Sequence, residues 1–203
     1  MDRSGLQRII PIILVLIVIG LAAFALFSLG RTLFSGGTGQ SPSPSPESNT
    51  AQQTLTTVTA ERGVRMSVRG PIRAGENFHS YAITVTPDAR NMTTYVGYVG
   101  QEVEKSDLAN DAQAYTQLVT ALNRAKLMEG TALTGDANNT DGICATGTLY
   151  VFETLHNDKP VQTLWTTTCK GSAGSLKANL AQVRNLFQLQ IPTFSKLSDK
   201  VNM

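Results

Sequence analysis

The sequence predicts an α+β fold, an antiparallel sheet in the order β-β-β-α-β-β-α with two helices on one face, preceded by one transmembrane helix. Three observations carry this. Short stretches alternate apolar and polar residues and stop at Gly/Pro/Asp turns, two longer stretches repeat apolar residues at steps of three and four, and the N-terminus holds one long uncharged run. Consecutive strands with short connections imply antiparallel pairing, and two amphipathic helices need one sheet face to cover.

The uncharged run extends from Ile9 to Gly30. At 1.5 Å per residue it reaches about 33 Å, enough for a hydrocarbon core of roughly 30 Å. Within lipid a helix satisfies its own backbone, and Pro11 falls in the first turn, where its missing N–H has no partner to lose. Arg3 and Arg8 precede the span and Arg31 follows it, so the Lys/Arg bias places residues 1–8 in the cytoplasm and the rest of the chain outside. The bilayer is the partner expected for residues 9–30, and the cell membrane is the expected location. A cleaved signal peptide ending near Ala23-Phe24-Ala25 is the competing reading, but the apolar stretch continues through Leu29, beyond the usual length of a signal's core.

Gly5 followed by a long apolar helix at the extreme N-terminus resembles the start of type IV pilin-like proteins. That resemblance implies a filament subunit. Pilins, however, carry a glutamate five residues after the glycine, and here Ile10 stands there.

Residues 31–60 are rich in Gly, Ser, Pro, Thr and Gln, with Ser-Pro repeated at 41–46, and are expected to form a disordered linker that frees the domain at 61–203. That domain begins with a strand at Val64–Arg69, alternating apolar and polar before Gly70-Pro71. Phe78–Thr86 and Thr93–Val99 are the next two strands, with Gly97 marking a bulge or a close approach in the latter. A helix is expected over Asp107–Glu129, capped by Ser106 or Asp107, with Leu108, Ala112, Tyr115, Leu118, Val119, Leu122 and Ala125 on one stripe. Cys144–Leu155 and Val161–Cys169 form a hairpin about a turn at 156–160, and Ser175 caps a last helix carrying Leu176, Leu180, Val183, Phe187 and Ile191.

Cys144 and Cys169 are expected to form a disulfide across this hairpin. Directly opposed residues in an antiparallel pair lie about 4.5–5.5 Å apart, within disulfide range. Setting the cysteines opposite each other centres the turn near His156-Asn157 and places Thr148 against Trp165, Leu149 against Leu164 and Phe152 against Val161.

The whole chain has 17 Lys and Arg against 15 Asp and Glu, a net charge of +2, which provides no field for nucleic acid. No catalytic residue, metal ligand or cofactor-binding residue is assigned. The two histidines, His79 and His156, have no motif around them. Asp136, Asn138 and Thr140 match the first positions of a calcium loop, but Asp141 and Gly147 stand where that loop needs Gly and Glu. Asn91-Met92-Thr93 and Asn138-Asn139-Thr140 fit the glycosylation acceptor pattern. The expected function is a non-enzymatic surface module binding a protein or envelope component. The competing reading is a membrane-tethered hydrolase, which a polar cleft joining a histidine to a carboxylate would favour. An exposed apolar patch would favour binding.

Overall fold

In the computed structural model the structure describes residues 46–202. The expected membrane span and the first half of the linker lie outside them. No helix among the described residues is long and apolar enough to cross a membrane.

The chain enters as helix α1 (Pro46–Thr56). The expected linker is therefore helical in its second half. Pro46 suits the first helical position, and Ala51 and Leu55, four apart, both turn into the core, Leu55 with 1% of its surface exposed. Two apolar residues among Thr, Gln and Ser left little periodicity to read.

Strands β1 (Arg62–Arg69), β2 (His79–Val85), β3 (Ala89–Val96) and β4 (Gln101–Ala109) follow as a meander. Helix α2 (Ala112–Arg124) then crosses to the hairpin of β5 (Leu149–His156) and β6 (Lys159–Thr167). Helices α3 (Leu180–Gln188) and α4 (Phe194–Asp199) close the chain. The six strands form one antiparallel sheet in the order β4-β3-β2-β1-β5-β6, so β1 and its two neighbours occupy the middle.

The fold class is as expected, but four strands precede α2 where three were predicted. The missed strand, β4, takes Ser106, Asp107 and Leu108 from the predicted helix, and α2 is instead capped by Asp111, whose side chain accepts from the Ala114 N–H at 2.8 Å. β4 is an edge strand whose residues are exposed or half-buried throughout, held by backbone pairing to β3. It therefore has no apolar alternation to betray it. Gly97 is the first residue of the β3–β4 turn rather than a point within a strand, with φ of 74°. The bulge sits earlier, at Thr94/Tyr95, where the buried Thr94 hydroxyl donates to the Glu104 carbonyl at 3.1 Å and accepts from the Glu104 N–H at 3.2 Å.

Across the sheet, Met92, Ile83, Met66, Phe152 and Leu164 form one continuous inward row. Buried residues from all four helices, including Leu55, Tyr115, Leu122, Phe187 and Leu197, join this face in one core. Ser175 does not cap a helix. Its hydroxyl accepts from the Trp165 N–H at 3.1 Å and its own N–H donates to the Trp165 carbonyl at 2.9 Å, tying the chain to the β6 edge; Asn179 caps α3.

Cys144 and Cys169 are joined, with Cα atoms 5.4 Å apart. The register deduced from them differs by three residues from the one observed: Phe152 faces Leu164 rather than Val161, and Leu149 faces Thr167 rather than Leu164. The cysteines are not rungs of the ladder. Cys144 has φ of 56° in a turn closed by the Gly147 N–H to its carbonyl at 3.2 Å, and β5 begins only at Leu149. The bridge thus clips a loop to the end of the hairpin. A Cβ at Gly147 would lie 2.8 Å from Cys144 Sγ and 3.0 Å from Cys169 Sγ, so a side chain there would push against the bridge. The turn itself is the two-residue Asn157-Asp158, both with positive φ (49° and 61°), which matches the twist of the flanking strands.

Candidate functional site

The face of the sheet opposite the helices carries the polar partners of the alternation. Arg65 of β1 lies between Thr84 of β2 and Glu153 of β5, and Ser67 lies between Ala82 and Val151. Arg65 Nε donates to Glu153 Oε2 at 2.6 Å, which pairs a nearly buried carboxylate (8% exposed). The third residue of the stripe, Arg69, stands at the end of β1, just before Gly70-Pro71 turns the chain away.

At that end of the sheet is a cleft of about 390 Å³, within the size range of small-ligand sites, roughly 300–1,000 Å³. Three segments wall it. The β1–β2 connection gives Ile72 and Phe78, the β3–β4 turn gives Gly97, Tyr98 and Gly100, and the 140–143 loop gives Thr140 to Ile143, with Arg69, Ser80 and Leu149 on the sheet. Each wall is fixed locally. The Phe78 and Tyr98 rings stack with centroids 4.7 Å apart and planes 9° from parallel. Tyr98 Oη donates to the Arg73 carbonyl at 2.5 Å, and the Gly97 N–H donates to the Phe78 carbonyl at 2.8 Å. The Ile72 N–H donates to the Ala145 carbonyl at 2.8 Å, next to Cys144, so the disulfide steadies two walls together.

Arg69 is the cation of the cleft. Its Nη2 donates to the Thr140 carbonyl at 3.1 Å and to Thr140 Oγ1 at 2.5 Å, and its Nη1 lies 3.8 Å from Asp141 Oδ1. Burial lowers its pKa, an effect that the exposed Asp141 carboxylate opposes only in part.

The rim is apolar and open to solvent. Ile72 is 40% exposed and Tyr98 59%, and Val99, which follows Tyr98 without lining the cleft, is 94% exposed. The turn accounts for this exposure. Gly97 and Gly100 both adopt positive φ, so the chain reverses in the residues between them and projects Tyr98 and Val99 from the sheet.

The two histidines are not brought together. His79 opens β2 half-buried, its carbonyl accepting from the Gly70 N–H at 3.0 Å. His156 ends β5 exposed, opposite Lys159, and neither lines the cleft. No group of three or more His, Cys, Asp or Glu that could hold a metal occurs among the described residues. In the loop tested for calcium, the Thr140 hydroxyl is taken by Arg69, while Asn138 Oδ1 is buried with no hydrogen-bond partner. Asn91, the other acceptor-pattern asparagine, lies mid-strand in β3 on the open face, half-buried beside Thr84.

Of the cleft residues, the sequence analysis placed Arg69 at the end of the first strand, marked Gly97 for its backbone, and met Thr140 and Asp141 only in the calcium-loop test. Nothing in the sequence joined them, because they are brought together by pairing across three strands. The signal that could have exposed the rim is Tyr98-Val99 between two glycines, apolar residues at a turn where polar ones are usual. No family model matches this chain, and no curated protein matches it either.

Proposed function

We propose that this chain is a membrane-tethered, extracytoplasmic binding module that presents the Arg69 cleft to a protein or envelope partner. The observation that carries the reading is the apolar rim of Ile72 and Tyr98, exposed around a cleft with a charged floor, with the exposed Val99 next in the chain. Tyr98 is held by its stack on Phe78 and its bond to the Arg73 carbonyl, yet 59% of its surface stays in solvent, and apolar surface clustered at a cleft marks a recognition surface. The cleft's lining also favours recognition over catalysis. It pairs one arginine with an exposed aspartate among aromatic, aliphatic and glycine residues, while both histidines sit elsewhere.

The location rests on sequence. The uncharged run Ile9–Gly30 is long enough to span a bilayer, and the arginines before it favour a cytoplasmic N-terminus. The Cys144–Cys169 bridge fits an oxidising compartment outside the cytoplasm, and no free cysteine remains.

The test is a photocrosslinking residue placed at position 99 or at 189 in the full chain, in intact cells. Leu189 is also an exposed apolar residue, at 67%, and does not line the cleft. A discrete adduct from position 99, lost with Tyr98→Ala and not formed from 189, is the expected result. The same adduct from both positions, or none from 99, overturns the reading. External protease should also digest the domain on intact cells and leave a membrane-held stub; a protected domain reverses the orientation.

A further inference from the structure

Taking the cleft as the binding site proposed above, we infer that its occupant is an α-carboxylate borne beside an apolar side chain, as at the C-terminal end of a peptide.

Arg69 supplies the charge. A guanidinium carries five N–H donors. Thr140 alone takes Nη2, through its carbonyl and its hydroxyl, which fixes the plane and direction of the group. Nε and Nη1 make no hydrogen bond among the described residues. Asp141 Oδ1, the ion-pair partner of Nη1, is 3.8 Å away, beyond hydrogen-bond range, on a side chain 85% exposed. A half-buried cation is thus held in place with donor capacity facing the cleft. An arriving carboxylate accepts charge-assisted bonds there with little reorganisation. The partial desolvation that lowers the Arg69 pKa is relieved by the same anion.

The size of that charge is set by the surroundings. Among the described residues lining the cleft Arg69 is the one cation, and Asp141 already stands beside it. A monoanion is compatible with this arrangement, whereas a phosphate dianion meets one cation and one repelling carboxylate.

The apolar half comes from the walls. Ile72, Phe78, Tyr98 and Ile143 line the same small cleft as Arg69. A ligand filling it must carry its anionic and apolar groups close together. At a chain end both branch from one carbon. A mid-chain Asp or Glu puts its carboxylate at the tip of a side chain, away from the next apolar group.

The experiment uses the full chain in detergent micelles with ¹³C-labelled isoleucine methyls, following Ile72 and Ile143. The probes are N-acetyl-L-phenylalanine, its amide and phenyl phosphate. The expected result is saturable shifts of both methyls by the acid, with the amide at least tenfold weaker and phenyl phosphate weaker than the acid. Arg69→Gln should abolish the preference for acid over amide, and Tyr98→Ala should weaken acid and amide alike. The acid–amide comparison is made on the unaltered protein, so it does not depend on a variant's folding. Equal binding of acid and amide, tighter binding of phenyl phosphate, or no shift by the acid at millimolar concentration each overturns the carboxylate assignment. None of these removes the position-99 adduct, and loss of that adduct is what overturns the binding reading itself.

Discussion

Met66 and Ser67 are neighbours in β1 and point to opposite sides of one sheet. Met66 has no exposed surface and lies between Ile83 and Phe152 beneath the helices, whereas Ser67 is half-exposed between Ala82 and Val151 on the open side. The strands are shared, so backbone pairing supports both faces equally. What differs is what each face can tolerate. The covered face is filled by large side chains with almost no accessible surface, and a change there leaves a cavity. The open face carries Thr, Ser, Ala and paired charges over β1 to β3, with buried Leu149, Leu155 and Trp165 on β5 and β6; away from those three it can lose a side chain cheaply, and a cleft can form at the strand ends. Stability and recognition are thus separated by a period of two along the same residues.

The largest effect expected from this contrast is at β5. Phe152→Ala should cost about 4 kcal/mol in denaturant unfolding, because the ring has no exposed surface and meets Phe187 at 6.0 Å. Val151→Ala, one residue away on the open face, should cost about 1 kcal/mol. Comparable losses from the two would break the distinction.

Next is α1. Leu55→Ala should destabilise by about 3 kcal/mol, since Leu55 belongs to the same core as the sheet. A change within about 0.5 kcal/mol would mean that residues 46–56 contribute nothing to the covered face.

Opening the disulfide, with Cys144 and Cys169 both replaced by Ser, should cost roughly 3.5 kcal/mol by the chain-entropy relation for a separation of 25 residues. Because the bridge steadies the loop that walls the cleft, the same change should weaken occupancy of the cleft in the methyl-shift titration. Intact binding with lowered stability would break that link, showing that the cleft walls hold without the bridge.

The covered face also has a pH signature. Burial pushes Tyr81 and Tyr115 up to about 12. Their protonated forms are favoured in the folded state, so the unfolded chain gives up those protons first. Stability is unaffected below pH 10 and falls between about 10 and 12, by roughly 3 kcal/mol per tyrosine. Replacing both with Phe should flatten that fall in unfolding measured against pH. A fall unchanged by the double replacement would assign it to groups elsewhere.

The smallest effect is expected on the open face. Glu153→Gln should cost about 1 kcal/mol, since it leaves Arg65, partly solvated, without its charge partner but retains an acceptor. A loss approaching that of Phe152→Ala would show that the open face also bears on the fold.

The sequence by itself determined those features whose signal is local. β1 is readable because its apolar residues alternate against a covered face, and α2 because Tyr115, Leu118, Val119 and Leu122 recur on one stripe and all become buried. The cysteine pair follows from count, since the chain holds two, and from their places flanking one hairpin. The sequence did not determine β4, whose pairing to β3 uses backbone groups that every residue carries. The same holds for α1, where Leu55 matters only because a core is waiting for it. The hairpin register shows the limit most clearly: two cysteines can be bonded without being opposed, because Cys144 reaches its partner from a turn rather than from a rung. The cleft belongs wholly to the tertiary structure. Arg69, Tyr98 and Thr140 are distant in sequence and meet only after the sheet has ordered its strands, since strand pairing acts between segments and no short window of sequence records it.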